Sequence, residues 1–225
     1  MLKVLKFLLY ILSVLFISYI NFMKLCIILI FLYTFINPPV TSLMINRNIF
    51  NHYKTKPIKF IKLKNINYEF KRLIVTTEDC NFYKHCGIDI DAIKTAYEIN
   101  KRCGYDYAGG STITQQLIRT LFLNTNKNYI RKGIEIQLSL IMNLIMSKDR
   151  QLELYLNYAE FGKGIYGIGQ ASNSYYGTTF YNLNEVQMTK LIAIMPSPIN
   201  YNVNNFSFNY KLINRYFWIW QHIEG

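Results

Sequence analysis

From Phe7 to Met23 the chain carries no charged residue, and after Lys24 a second uncharged run extends from Leu25 to Asn46. Pro38-Pro39 interrupt the second run. Proline lacks an amide donor and disfavours helix in the residue before it, so any helix here is expected to stop near Asn37. Each uncharged helical stretch is then 13–17 residues, short of the roughly 20 needed to cross a bilayer. Three arrangements are compatible with that. One is a single tilted span holding Lys24 inside or snorkelling. Another is a hairpin of two short spans. The third starts at Met23 and keeps one short span. A cleaved signal is disfavoured because no small-x-small site follows the apolar run. The preferred reading is one membrane anchor over residues 1–39.

A basic connector over residues 40–67 is expected next. Between Arg47 and Arg72 stand eight Lys/Arg against one acid, Glu69, within a chain of net charge +12. Basic residues just beyond an apolar anchor suit an anionic lipid surface, or form a solvated face. No nucleic-acid-binding motif accompanies them, so nucleic acid is not an expected partner. More Lys/Arg follow the anchor than precede it, where only Lys3 and Lys6 stand. Taken alone, that predicts a cytoplasmic C-terminal domain, although the rule weakens for long translocated domains. Cys80, Cys86 and Cys103 are an odd number and lack zinc spacing, so unpaired thiols are expected, and no metal ligand set.

Residues 68–225 form the expected main domain, with extended pieces before it in the connector. Asp89 is placed to cap a helix through Tyr97. Thr112-x-x-Gln115 has the form of a capping box, with a helix from there to about Asn124. Ile130, Ile134, Leu138, Ile141 and Ile145 recur at spacings of three or four and predict a helix over 129–146. Shorter helices are expected at 149–160, 165–176, 184–195 and 207–222. No strand-helix alternation appears, which argues against a doubly wound nucleotide-binding sheet.

Three clusters carry chemistry. Gly109-Gly110-Ser111-Thr112 is a glycine turn opening onto a helix N-terminus, a ready anion site or an ordinary cap. Gln115, Gln116 and Arg119 follow on the same face. Lys127, Arg131 and Lys132 suit a diphosphate clamp. Arg131 and Glu135, at i and i+4, equally suit a plain helical ion pair. Glu78 and Asp79 read as a catalytic acid pair or as helix-terminal carboxylates, and His85 as a site residue or a structural hydrogen-bonder.

Taken as ordered motifs, these stretches resemble the monofunctional biosynthetic peptidoglycan glycosyltransferases, family 51 enzymes of the lysozyme-like superfamily. Glu78 to Gly87 is similar to the first motif, Glu-Asp-x-x-Phe-x-x-His-x-Gly, with Phe82 and His85 in place. Gly109 to Gln116 matches the second and Arg131 to Glu135 the third. Lys148 to Asn157 matches the fourth except that Gln151 replaces an isoleucine, and Ala159-Glu160-Phe161-Gly162 extends the likeness. Arg215 to Trp220 is a weaker fifth. Arg119 stands where the family usually has lysine, and Lys127 where some members have arginine.

The resemblance implies a mainly α, lysozyme-like bilobal domain behind a transmembrane anchor. It implies polymerisation of lipid II into β-1,4-linked glycan with inversion and release of polyprenyl diphosphate. The catalytic residues would be Glu78, as base, and Glu135. Asp79, Phe82, His85, Gly110, Ser111, Thr112, Gln115, Gln116, Arg119, Lys127, Arg131 and Lys132 would bind substrate. No cofactor is obligatory; a divalent cation (Mg or Mn) is compatible, with Glu135 as its one candidate ligand. Partners would be lipid II, the growing lipid-linked glycan, the membrane and other cell-wall synthesis enzymes. The domain would lie outside the cytoplasmic membrane, against the raw charge count. No transpeptidase signature follows. A lysozyme-like glycan-cleaving enzyme and a catalytically silent lipid II-binding scaffold are the rival readings.

Overall fold

The computed structural model describes residues 2–105, 108–126, 128–204, 206 and 209–222. Among these, ten α-helices, two 3-10 turns and one two-stranded hairpin make the regular structure. The expected mainly helical architecture is therefore observed.

Helix α1 (Leu2–Tyr33) is continuous for 32 residues and is long and apolar enough to cross a membrane. Lys24 is an exposed residue within it, and it breaks nothing. The helix has two halves with different surroundings. Residues 2–18 are exposed all round. Beyond them Met23, Cys26, Ile30 and Tyr33 are buried, at spacings of three and four that put them on one face. That face packs on α6 (Tyr129–Ile145). The end of α1 and the turn after it are held by Arg150, which donates to Tyr33 O at 2.9 Å and to Ile36 O at 2.8 Å. A guanidinium there satisfies orphan carbonyls and faces the negative end of the helix dipole.

Residues 40–67 are more ordered than a tether. Helix α2 (Ser42–Asn51) occupies the region expected to be extended, with Thr41 as N-cap and Leu43 and Met44 buried against α5 (Ile113–Phe122). His52 ends it in the left-handed conformation, φ 56°. The chain then runs extended to a 3-10 turn at Leu63–Asn65. Asn157 fixes that run by accepting from Ile61 N at 2.7 Å and donating to Ile61 O at 2.8 Å, and Glu153 accepts from Leu63 N at 2.8 Å.

Asn157 and Glu153 lie on α7 (Lys148–Tyr158), which divides the domain. Leu152, Tyr155 and Leu156 enter one core with α3 (Tyr68–Glu78), α8 (Ile168–Tyr176), α9 (Glu185–Ile194) and α10 (Tyr210–Gln221). Leu154 and Tyr158 enter a second core with α1, α2, α5 and α6. Its five apolar residues therefore divide between two cores, while Gln151, Glu153 and Asn157 make polar contacts from the same helix. Gln151, a polar residue at an otherwise apolar motif position, is fully buried yet paired. It accepts from Thr114 Oγ1 at 2.7 Å and donates to Met146 O at 2.8 Å. After α7 the hairpin β1 (Glu160–Gly162) and β2 (Ile165–Tyr166) turns the chain, pairing Glu160 with Tyr166. The helix expected over 165–176 begins at Ile168. The four cysteines are free in this structure; Cys26 is buried, and Cys80, Cys86 and Cys103 are exposed.

Candidate active site

Local chemistry builds the site's frame. Thr112 caps α5 by accepting from Gln115 N at 3.1 Å, and Gln115 Oε1 accepts from Thr112 N at 3.1 Å. This closes the capping box expected from sequence. Asp79 ends α3 and aims inward. Its Oδ2 accepts from Ile113 N at 2.9 Å, and both its oxygens lie within 3.0 Å of His85 Nε2. His85 Nδ1 accepts from Gly87 N at 3.0 Å, which places the ring proton on Nε2, toward Asp79. Thr112 Oγ1 donates to Gly87 O at 2.7 Å. Gly87 has φ +100° and a Cβ there would meet Ser139 O at 2.5 Å, so only glycine fits. Asp79, His85, Gly87, Thr112 and Gln115 thus tie the end of α3 to the start of α5.

Several expected substrate contacts therefore point into the protein. Phe82, Thr112 and Gln115 are at most 2 % exposed. Phe82 lies under Lys148, whose Nζ is 4.6 Å from the ring centroid. Burial pushes the Lys148 ammonium below its usual range, opposed by the Asp79 charge. In this arrangement Phe82 and Gln115 line neither of the site's two cavities, and Thr112 only borders the smaller one. Lys127 lies outside the described residues.

Of the remaining residues, all but His85 and Glu135 line two adjoining cavities that share Ser111. A small one, about 140 Å³, is lined by Glu78, Gly109, Gly110 and Ser111, with Asp79 and Thr112 at its wall. Gly110 is packed against α4 (Ile90–Cys103), where a Cβ would lie 2.8 Å from Ile93 Cα. Glu78 is held at both oxygens, by an ion pair to Arg215 and by Gln116 Nε2, which donates to Oε2 at 3.1 Å. Tyr155 fixes that amide, donating its hydroxyl to Gln116 Oε1 at 3.0 Å. The Tyr155 phenol is pushed well above its usual range, first by burial and then by the Glu78 charge, so it stays a donor.

The larger cavity, about 520 Å³, is lined by Ser111, Gln116, Arg119, Arg131, Lys132 and Tyr155, among others. Beneath its cations lies Glu135, with no exposed surface. Arg131 pairs with Oε2, Lys132 Nζ sits 2.5 Å from Oε1, and Arg119 Nη1 is 3.9 Å from Oε2. Lys132 also donates to Ser111 Oγ at 2.9 Å. Three cations share one carboxylate, so among the described residues two positive charges at this cluster face the cavity without a local counter-ion. Such a cavity is built for an anion with several oxygens. Ser111 and Gln116 belong to its wall and also border Glu78.

Glu135 itself suits a divalent cation poorly, because ammonium and guanidinium groups already take both oxygens. Among the described residues no group of three His, Cys, Asp or Glu is placed to hold a metal.

Arg215 was not among the expected site residues. Its motif is the weakest of the five and it lies 137 positions from Glu78. Tyr155 was visible only as part of the fourth motif.

Comparison with known proteins bears on most of the chain. A family model described as Transglycosylase matches residues 46–223. A biosynthetic peptidoglycan transglycosylase of Herminiimonas arsenicoxydans is 43% identical over 146 residues, 65% of this chain and 63% of that protein. One from Pseudomonas putida (strain GB-1) is 36% identical over 182 residues, 79% of this chain and 77% of its own length. One from Caulobacter vibrioides is 35% identical over 180 residues, 79% of this chain and 76% of its own. The match therefore spans just under two thirds of the first of these relatives and about three quarters of the other two.

Proposed function

This chain belongs to the transglycosylase family, and on that premise we propose that it is a peptidoglycan glycosyltransferase joining lipid II to a growing lipid-linked glycan. The observation that carries the reading is the division of the cleft. Carboxylates including Glu78 line one cavity, a surplus of cations lines the next, Ser111 lines both, and Gln116 reaches from the second to Glu78.

A sugar hydroxyl is a weak nucleophile, so it needs a base. Glu78 takes the proton of the acceptor 4-hydroxyl as that oxygen bonds to the donor's anomeric carbon. The bond from that carbon to the diphosphate oxygen breaks on the opposite face, and the diphosphate leaves with the electron pair. Arg119, Arg131 and Lys132, with Lys127, stabilise its charge, so no acid is needed to protonate the leaving group. Displacement from the opposite face inverts the centre and converts an α-linked diphosphate into a β-1,4 linkage. Glu135 holds the cations in register. A glycan-cleaving enzyme would instead need a protonated carboxyl to assist a sugar leaving group, and this cation cavity would serve it no purpose.

The substrate also gives α1 a purpose. The exposed residues 2–18 reach about 25 Å at 1.5 Å per residue, against a hydrocarbon core of about 30 Å. On this reading the docked half of α1 begins within about 5 Å of the bilayer surface, which brings the second core close to the headgroups. We place the N-terminus inside and the domain on the external face of the cytoplasmic membrane, where the family's substrate is polymerised.

The test is polymerisation of labelled lipid II in detergent by the full chain and by Glu78→Gln. Polymer from the first, and none from the second while lipid II still binds, supports the reading. Absence of polymer from both, across metals and detergents, overturns it.

A further inference from the structure

The cation cavity has a wall that the reaction does not use. Helix α2 follows the anchor after eight intervening residues, and its Leu43 and Arg47 line the cavity. Arg47 reaches Glu160 on β1, another lining residue. Its Nε donates to Oε1 and its Nη2 to Oε2, each at 2.9 Å. The Glu160 side chain is 6% exposed and that of Arg47 18%. Burial pushes the Glu160 carboxyl above its usual range, and the Arg47 hydrogen bonds and charge oppose this. Tyr166 adds a hydroxyl donor at 3.4 Å.

A guanidinium here has two possible roles: binding an anion in the cavity, or fastening α2. Charge and geometry decide between them. Arg119, Arg131 and Lys132 share one carboxylate and keep positive potential for a ligand. Arg47 has a carboxylate to itself, and the fork that would grip a phosphate in two-pronged fashion is already spent on it. Only Nη1 lies outside this fork, 3.5 Å from Asn51 Oδ1. The fastening role wins.

We propose that the Arg47–Glu160 pair is a latch that holds the juxtamembrane helix α2 against the cation cavity and sets the mouth through which the lipid-linked diphosphate enters. Arg47 and Glu160 are then positioning residues. Arg150 secures the end of the anchor to α7, and the latch secures the next helix to β1. The membrane anchor and the cavity wall become one assembly with two fixings. The kinetic part of this inference rests on the polymerase reading, and the structural part does not.

The experiment compares the full chain in detergent with Arg47→Ala, Glu160→Ala, the double variant and Arg47→Lys. Amide hydrogen exchange over residues 42–51 reads the latch without turnover. The latch predicts faster exchange in α2 in both single variants, with α7 and α8 unchanged. Lipid II titrations should show a raised KM with kcat nearly constant, because the wall holds ground and transition states alike. The loss in kcat/KM should reach at most about a hundredfold, the scale of an ångström-sized misplacement. The double variant should be no worse than the poorer single one, since partners in one pair are not additive. Arg47→Lys should recover part of the exchange protection and part of the KM. Additive losses, or a KM effect from Arg47→Ala without one from Glu160→Ala, would assign Arg47 to the substrate and overturn the latch. Unchanged α2 exchange in both single variants overturns it too. If a single variant fails to fold, Arg47→Met with Glu160→Leu leaves no buried charge and must still loosen α2. An inactive parent chain refutes the polymerase reading and leaves the exchange result to stand alone.

Discussion

Glu135→Gln is the sharpest probe of the cation cavity. The substitution keeps the shape of the side chain and removes one charge. In the native site that charge is shared by Arg131, Lys132 and Arg119, whose side chains are 16%, 32% and 29% exposed. Removing one member of a fully buried ion pair costs about 3–5 kcal/mol. Here the cations keep partial contact with water, so a cost of about 2–3 kcal/mol is expected after discounting for that screening. For a domain of this size about 2–4 °C of Tm accompanies each kcal/mol, which gives a fall of roughly 4–12 °C. The functional loss should be larger in proportion. Without the carboxylate the three cations repel one another and spread, and Lys132 loses the partner that holds it beside Ser111 Oγ. Preorganised charge at a leaving group is worth on the order of a hundredfold to a thousandfold in kcat. Thermal unfolding by fluorescence in detergent and steady-state polymerisation of lipid II read the two effects. A variant within threefold of the parent in kcat, with an unchanged Tm, would refute the claim that Glu135 organises the cavity.

Two further outcomes are expected. Arg215→Ala should lower kcat/KM by about tenfold to a hundredfold, the worth of one hydrogen bond to a charged group, measured by lipid II polymerisation, and Arg215→Lys should recover part of it. Asp89→Ala should destabilise by about 1 kcal/mol through the lost cap of α4, read by denaturant unfolding. Hydrogen bonds from Ala92 N and Asn81 hold the Asp89 carboxyl below its ordinary 3.8. Its contribution is therefore present above that value and is lost as pH falls through the lower folded-state pKa, so parent and variant should converge in acid.

The features legible in the sequence were those whose causes are local. Thr112 and Gln115 cap α5 through atoms three residues apart, and Asp89 caps α4 in the same way. The periodic isoleucines of α6 fall within Tyr129–Ile145, the helix observed. Proximity in the fold was another matter. Glu135 and its cations were visible because two of them sit one turn away on the same helix. The restraint on Glu78 was not, because Arg215 arrives from α10 and Tyr155 from α7. Motifs also do not say which way a side chain faces. Phe82, Thr112 and Gln115 lie among residues that line the site and are themselves buried.

Helix α2 shows why the connector resisted reading. Its ten residues have no acidic residue in the first turn and no basic residue in the last, and its C-cap is a histidine in a left-handed conformation rather than a glycine. A helix so short is marginal by itself and depends on tertiary packing. That packing comes from α5, some seventy positions later, and from Glu160, 113 positions after Arg47. The lysines that follow gave the segment the look of a solvated tether. The structure instead makes it the wall between anchor and cavity. The same distant contacts that hid this helix in the sequence hold it as a wall of the cation cavity, in one core with the helix that is long and apolar enough to cross a membrane.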